Sequence, residues 1–495
     1  MRYLFILSFF FVVHQTIAQS ISIENKTFQT ESGLKVEGQV GSILVPENRA
    51  NPNSSAIPIQ FVHLKSTNPQ PSAPIFYLEG GPGSSCTWQA DNDYYLEYWS
   101  KFLAIADVVL VDQRGTGKSS ERLTYIWMDA IPEGIFQDYQ VAQQHYSNMA
   151  KKALPSFQER GIDLRGYTTK ENATDIDQLR QALGFEKINL FGFSYGSHLG
   201  QAYQRYFGES VDKTILIGVE GPDHTYKLPL AMDVQLQKIS QMAQQDPAIA
   251  KEVPNVFELY KEVAAQLEKE PAEVTVRSPL TGEKETIKVG AFGLNIILRL
   301  DIGDASDLPV FPRLLYQIKQ KDYSALAWFV NKRYRMVFGI QGMSATMDLA
   351  SGSSPSRQLR IKEDKTKSQF GEVVNITLDV FDEMDGFWPD PDLGEEFRSP
   401  LITDIPTLFL SGTLDFNTPP HQAEEVRWGY SNSQHIIVQN AGHEQIISHP
   451  QTIPTILSFL KGKNIQETTF GHGPLQFIPL EGSDSEVWHP ALGKR

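Results

Sequence analysis

The sequence predicts an α/β fold, a mostly parallel sheet flanked by helices and interrupted by a largely helical insertion. Three observations carry that prediction. Brief apolar runs with turn signals behind them recur at 75–78, 108–111, 188–191 and 215–217, the pattern of strands buried on both faces. Segments with helical spacing lie between them, as βαβ units require. Strand runs then thin out over 225–398 and return at 407–410 and 435–438, which suggests one sheet resumed after an insertion.

Taken in order, the chain opens with Arg2 and an apolar run at 3–13, then Thr16, Ile17 and Ala18. A basic start, a short apolar stretch and small residues before a cleavage point make a secretory signal peptide, cut after Ala18. The run is too short for a bilayer span, which needs about 20 apolar residues. The chain is therefore expected to be exported, periplasmic or secreted, and to keep no membrane span. Strand candidates follow at 40–45 and 56–66, separated by a Pro/Asn-rich turn at 46–55. Residues 175–183 have helical spacing and stop at Gly184, a C-cap signal, and 199–207 form a helix directly after the 188–191 run. Beyond His224 helical periodicity dominates, for example at 233–244 and 256–267. The expected organisation is a signal peptide at 1–18, the first part of the core at 19–222, a helical cap at 223–400 and the second part of the core at 401–495.

Composition narrows the function. With 495 residues, 41% hydrophobic and 21% charged, the chain can bury a sizeable core and is neither disordered nor collagen-like. Its formal net charge of −15 argues against non-specific nucleic-acid binding, which needs a basic patch. Cys86 is the only cysteine, so no internal disulfide can form. No Cys/His cluster has zinc spacing and there is no HExxH, so no metal or cofactor is called for. Asn25, Asn53, Asn172 and Asn375 each begin an N-x-Ser/Thr sequon. Oligomeric state is not readable.

The chemistry centres on GFSYG at 192–196. A strand run before it and a helix after it meet the structural test for a nucleophile elbow, a tight turn that lifts the hydroxyl of Ser194 out of the sheet. A serine needs a base beside it. Asp415 follows the 407–410 run and His443 follows the 435–438 run, giving the chain order Ser, Asp, His of α/β-hydrolases. His443 would take the proton of Ser194, and Asp415 would orient the imidazole. Donors for an oxyanion would be the backbone N–H groups of Tyr195, next after the nucleophile, and of Gly81, in the GGPG turn after the 75–78 run.

The GGPGS turn, the DQRGTGKS stretch at 112–119 and GFSYG together resemble the prolyl aminopeptidase and tripeptidyl aminopeptidase family of α/β-hydrolases. The resemblance covers roughly 38–222 and 400–460; the insertion matches only in position and helical character. It implies an α/β-hydrolase fold, a cap over the active site and release of residues from peptide N-termini. It assigns the triad to Ser194, Asp415 and His443 and the oxyanion donors to Gly81 and Tyr195. It also suggests that Arg114 pairs with a carboxylate to brace the rim. DQRGTGKS is not a phosphate loop, because Asp112 stands where that motif needs glycine. Proline-releasing relatives carry His before the glycine pair, where this chain has Glu79, so proline specificity is not implied.

An aminopeptidase must hold a free ammonium, and carboxylates at the mouth of the site can do so. Glu220 is the first candidate and Asp223 its companion, since both follow the 215–217 run at the sheet's carboxyl edge. Glu79 is a further candidate beside the oxyanion turn. Peptides with a free N-terminus are the expected partners. A carboxylesterase or lipase on the same triad remains a second reading, and a catalytically silent binding protein a third.

Overall fold

The computed structural model describes residues 21–119, 123–382, 384, 386–389, 391–482 and 488–493. The expected signal segment at 1–18 lies outside them. In chain order the strands are β1 (Ile21–Gln29), β2 (Lys35–Pro46), β3 (Ala56–Leu64), β4 (Ser72–Leu78), β5 (Ala106–Val111), β6 (Thr124–Ile126), β7 (Ile188–Phe193), β8 (Val211–Ile217), β9 (Ala272–Arg277), β10 (Lys284–Val289), β11 (Gly339–Gln341), β12 (Thr407–Gly412), β13 (Ser433–Gln439) and β14 (Thr469–Gly471). The main sheet has the order β1-β2-β3-β5-β4-β7-β8-β12-β13-β14. Its first strands pair antiparallel up to β3–β5, and every pairing from β5–β4 onward is parallel.

The parallel strands read as continuous apolar runs because both faces are covered. Along β7, Ile188 and Leu190 join a core with Leu78, Val109, Met149 and Leu199. Phe191 and Phe193 face the other way, toward Ile75, Trp99, Phe102, Ile217 and Leu410. The last parallel strand was not anticipated, nor was β1. Most β1 side chains are exposed, so its sequence lacks the buried alternation that marks a strand.

Between β8 and β12 the chain builds a unit with its own core, including Leu236, Val263, Leu294, Leu314 and Phe329. It is mostly helical, as expected, but also contains the antiparallel pair β9–β10. The alternation AEVTVR, buried at every second residue, is the signature of its first strand. The end of the chain also departs from expectation. After β14, Phe477, Ile478, Leu480 and Ala491 return to the insertion's core instead of the sheet's. Arg313 donates to the carbonyls of Pro479 and Gly482, and His489 contacts Asp307 at 2.7 Å. No helix among the described residues is long and apolar enough to cross a membrane. Cys86 is buried and free.

Candidate active site

Successive parallel strands deliver their following loops to one edge of the sheet, where ligands bind in such folds. Ser194 sits between β7 and the helix Tyr195–Phe207 with φ of 56°. That left-handed backbone is costly for a residue with a Cβ and is held by the packing around it. Gly192 and Gly196 permit the sharp turn. A Cβ on Gly196 would lie 1.9 Å from the Leu78 carbonyl oxygen, and one on Gly192 would lie 2.3 Å from the Gly196 carbonyl oxygen. Ser194 N–H donates to Ile217 O at 2.9 Å, which fixes the elbow to β8.

Asp415 and His443, on the loops after β12 and β13, come together. His443 Nδ1 and Asp415 Oδ2 are 2.7 Å apart. Thr418 donates its N–H to Asp415 Oδ1 at 3.0 Å and its hydroxyl to Oδ2 at 2.5 Å. Burial works against the charge of Asp415, yet His443 and the Thr418 donors outweigh it and hold the carboxyl below the usual carboxylate range. Burial likewise disfavours an imidazolium, yet Asp415 favours it and leaves the His443 pKa above its ordinary value. The ring packs on Phe193, centroids 4.9 Å apart, directly before Ser194. It also passes close over Gly218, where a Cβ would meet His443 Cε1 at 2.9 Å.

The turn after β4 faces the elbow. A Cβ on Gly80 would fall 3.0 Å from Ser194 Cβ, so a side chain there would crowd the elbow. Gly81 has φ of 120° and precedes Pro82, whose carbonyl accepts from Ser344 of the insertion at 2.7 Å. Tyr195 begins its helix, where the first N–H groups have no intrahelical partner. Its phenol is buried against Thr169.

Ser194, His443, Gly80 and Gly81 line one cavity of about 380 Å³, together with Glu220, Lys227, Arg299, Asp348, Asn375, Asn417 and Glu444. The three sequence-derived acids part company here. Glu220 reaches the cavity but is already engaged, because Lys227 Nζ donates to its Oε2 at 2.8 Å. Burial opposes its charge, and Lys227 with His198 overcomes that and lowers its pKa. Asp223 does not line the cavity. It binds the Ser354 N–H and hydroxyl, both at 2.6 Å, at the start of the helix Pro355–Lys365. Glu79 lines the cavity, but its carboxylate accepts from Tyr77 O–H, Gly80 N–H and Gln89 Nε2. Burial pushes its pKa up.

Sequence reasoning missed Asp348, on the helix Gly342–Ser351, which faces the same cavity. Burial and then the charge of Glu220 push its pKa well above the usual range, with Lys227 pulling the other way. Nothing local in the sequence marks it. Arg114 is fully buried and grips both oxygens of Asp175 at 2.8 Å. It clamps the helix Thr169–Ala182 behind the sheet edge and does not reach the cavity. Phe381 and Trp388 are buried against one another, centroids 4.9 Å apart, which makes them core. Asn172 and Asn375 are also buried, so of the four sequons only Asn25 and Asn53 are on the surface.

The family model for the alpha/beta hydrolase fold matches residues 73–273, and that for TAP-like proteins matches 383–468. A tripeptidyl aminopeptidase from Streptomyces lividans is 27% identical over 213 residues, 40% of this chain and 39% of that protein. The serine protease Hip1 of Mycobacterium tuberculosis is 26% identical over 196 residues, 37% of this chain and 36% of that protein. A proline iminopeptidase from Xylella fastidiosa is 27% identical over 150 residues, 30% of this chain and 32% of that protein. The chain thus spans about two fifths of the length of the first of these relatives, and less of the other two.

Proposed function

The chain belongs to the prolyl and tripeptidyl aminopeptidase-like family of α/β-hydrolases, and from that premise we propose that it is an exported serine aminopeptidase. Ser194 attacks the scissile carbonyl and His443 Nε2 accepts its proton. Asp415, at Nδ1, holds the productive tautomer and steadies the imidazolium. The N–H groups of Gly81 and Tyr195 receive the oxyanion. The imidazolium returns the proton to the departing amine, which leaves an acyl-enzyme. A water then attacks the acyl-enzyme with His443 again as base, and the N-terminal fragment is released.

The observation that carries this reading is the position of Glu220 and Asp348 in the same cavity as Ser194. An acyl-transfer site needs no acids there; an exopeptidase does, to hold the substrate ammonium. Asp348 supplies the uncommitted carboxyl, and Glu220 remains beside it with Lys227. An arriving ammonium replaces the repulsion between the two acids with attraction to both. Residues 223–400 act as the cap that closes this end of the cavity.

The test pairs chemical labelling with charge neutralisation. A fluorophosphonate should label wild-type protein and fail on Ser194→Ala. Hydrolysis of a free-amine tripeptidyl anilide should depend on Asp348, with Asp348→Asn raising KM much more than it lowers kcat. Labelling of Ser194 with equal turnover of free-amine and uncharged ester substrates, indifferent to Asp348→Asn, would establish the carboxylesterase instead. Failure to label would leave a silent binding fold.

A further inference from the structure

The same cavity holds a cation that the proposed reaction does not use. Arg299 lies in the helix Ala291–Asp301 of the insertion. The turn just after this helix touches both loops that carry the proposed triad. Gly303 O accepts from His443 N at 2.9 Å, and a Cβ on Gly303 would lie 3.4 Å from Asn417 Nδ2. The Arg299 guanidinium makes only neutral contacts. Its Nε donates to Val374 O at 3.1 Å, one terminal nitrogen reaches Asn417 Oδ1 at 3.4 Å, and its plane lies 5.4 Å from the Phe416 ring centroid. No carboxylate among the described residues pairs with it. The charge that acts on it is Arg333, which repels it and is itself paired with Asp301. Burial and that repulsion bring its pKa down to about 10.

Arg299 is half-buried, and a charge partly withdrawn from water without a counter-ion is costly. The fully buried Arg114, by contrast, is paired with Asp175. The fork of a guanidinium matches a carboxylate. The cavity therefore has two unlike poles, the acids Glu220 and Asp348 and the cation Arg299. Resting on the aminopeptidase reading, we propose that Arg299 with Asn417 forms a subsite for a carboxylate of the substrate, held while the ammonium occupies the acidic pole. Two sources share that chemistry: an aspartate or glutamate side chain in the released fragment, or the C-terminal carboxylate of a short peptide.

The experiment measures kcat/KM for matched free-amine peptides that carry Asp or Asn at each of the first three positions in turn, each made as C-terminal acid and as amide. For the wild type, one carboxylate member should exceed its amide isostere by about tenfold or more, the worth of a charge-assisted hydrogen bond. In Arg299→Gln that ratio should fall to about one, and Arg299→Lys, which keeps the charge, should retain part of it. A ratio confined to the Asp/Asn pairs identifies the side chain as the source, and one confined to the acid/amide pairs identifies the C-terminus. Ratios near one throughout the wild-type series, or unchanged in Arg299→Gln, would overturn the subsite while leaving the aminopeptidase intact. If no peptide is cut, the functional reading fails by itself. The subsite is then judged by calorimetry of glutarate against glutaramide on the whole protein. Glutarate binding that Arg299→Gln abolishes supports it, and equal or absent binding refutes it.

Discussion

Replacing Asp415 by asparagine probes the proposed mechanism at its most constrained point. Asp415 accepts three hydrogen bonds, two from Thr418 and one at His443 Nδ1, and its side chain is wholly buried. No water can make good a mismatch there. An amide can keep one of these bonds with its oxygen, from the Thr418 N–H. Its NH2 then points at the Thr418 hydroxyl and His443 Nδ1, where the carboxylate had been an acceptor. A ring nitrogen that receives a donor carries no proton, so the proton moves to Nε2, the atom that must accept from Ser194. The same geometry in other serine hydrolases is worth about 10⁴ in rate, or about 5 kcal/mol of transition-state stabilisation. Both kcat/KM on a free-amine anilide and the fluorophosphonate labelling rate of Ser194 should fall together, because both need the serine proton removed. Near-UV circular dichroism checks that the variant is folded. Activity within about tenfold of wild type in a folded Asp415→Asn protein would refute the role given to the Asp415–His443 contact.

Other predictions follow from particular contacts. Gly218→Ala puts a Cβ 2.9 Å from His443 Cε1 on a backbone with φ of +59°, so the imidazole must shift. Expected is a fall in kcat of about a hundredfold, as a displacement near 1 Å gives, with labelling of Ser194 slowed in parallel. Arg114→Ala removes the bidentate partner of buried Asp175 and leaves it Arg49 alone, at 2.6 Å from Oδ1, and should cost about 2–3 kcal/mol in urea unfolding. Because His443 acts as the neutral base and Asp415 raises its pKa, kcat/KM should climb with pH through a midpoint above 6.5. For free-amine peptides it should fall again as the substrate ammonium deprotonates, near pH 8, whereas turnover of uncharged esters should stay flat there.

The parts of the molecule that could be read in the sequence are those encoded by neighbours along the chain. β7, the glycines of the elbow and the following helix stand within one stretch, so the strand–turn–helix around Ser194 was legible. The placement of Asp415 and His443 at one edge was legible because each follows an apolar strand run, and parallel strands put their ends together. The acids did not behave so simply. Glu220 was placed at the right edge, yet Lys227, seven residues on, folds back and covers it. Asp223 stands at the same edge and turns to cap a distant helix. Asp348 and Arg299 come from separate helices of the insertion, and only its packing aims them into one cavity. β1 escaped notice because it is exposed, and the return of Phe477 to the insertion's core because a lone apolar segment does not say which surface it covers.

The most direct measurement of the central claim is mass spectrometry of matched peptides with free and acetylated N-termini after incubation with the protein, and with Ser194→Ala as control. An N-terminal fragment should leave the free peptide only, its mass giving the number of residues released per cut, and Ser194→Ala should release none. Equal cleavage of both peptides, or fragments cut from the interior, would contradict it.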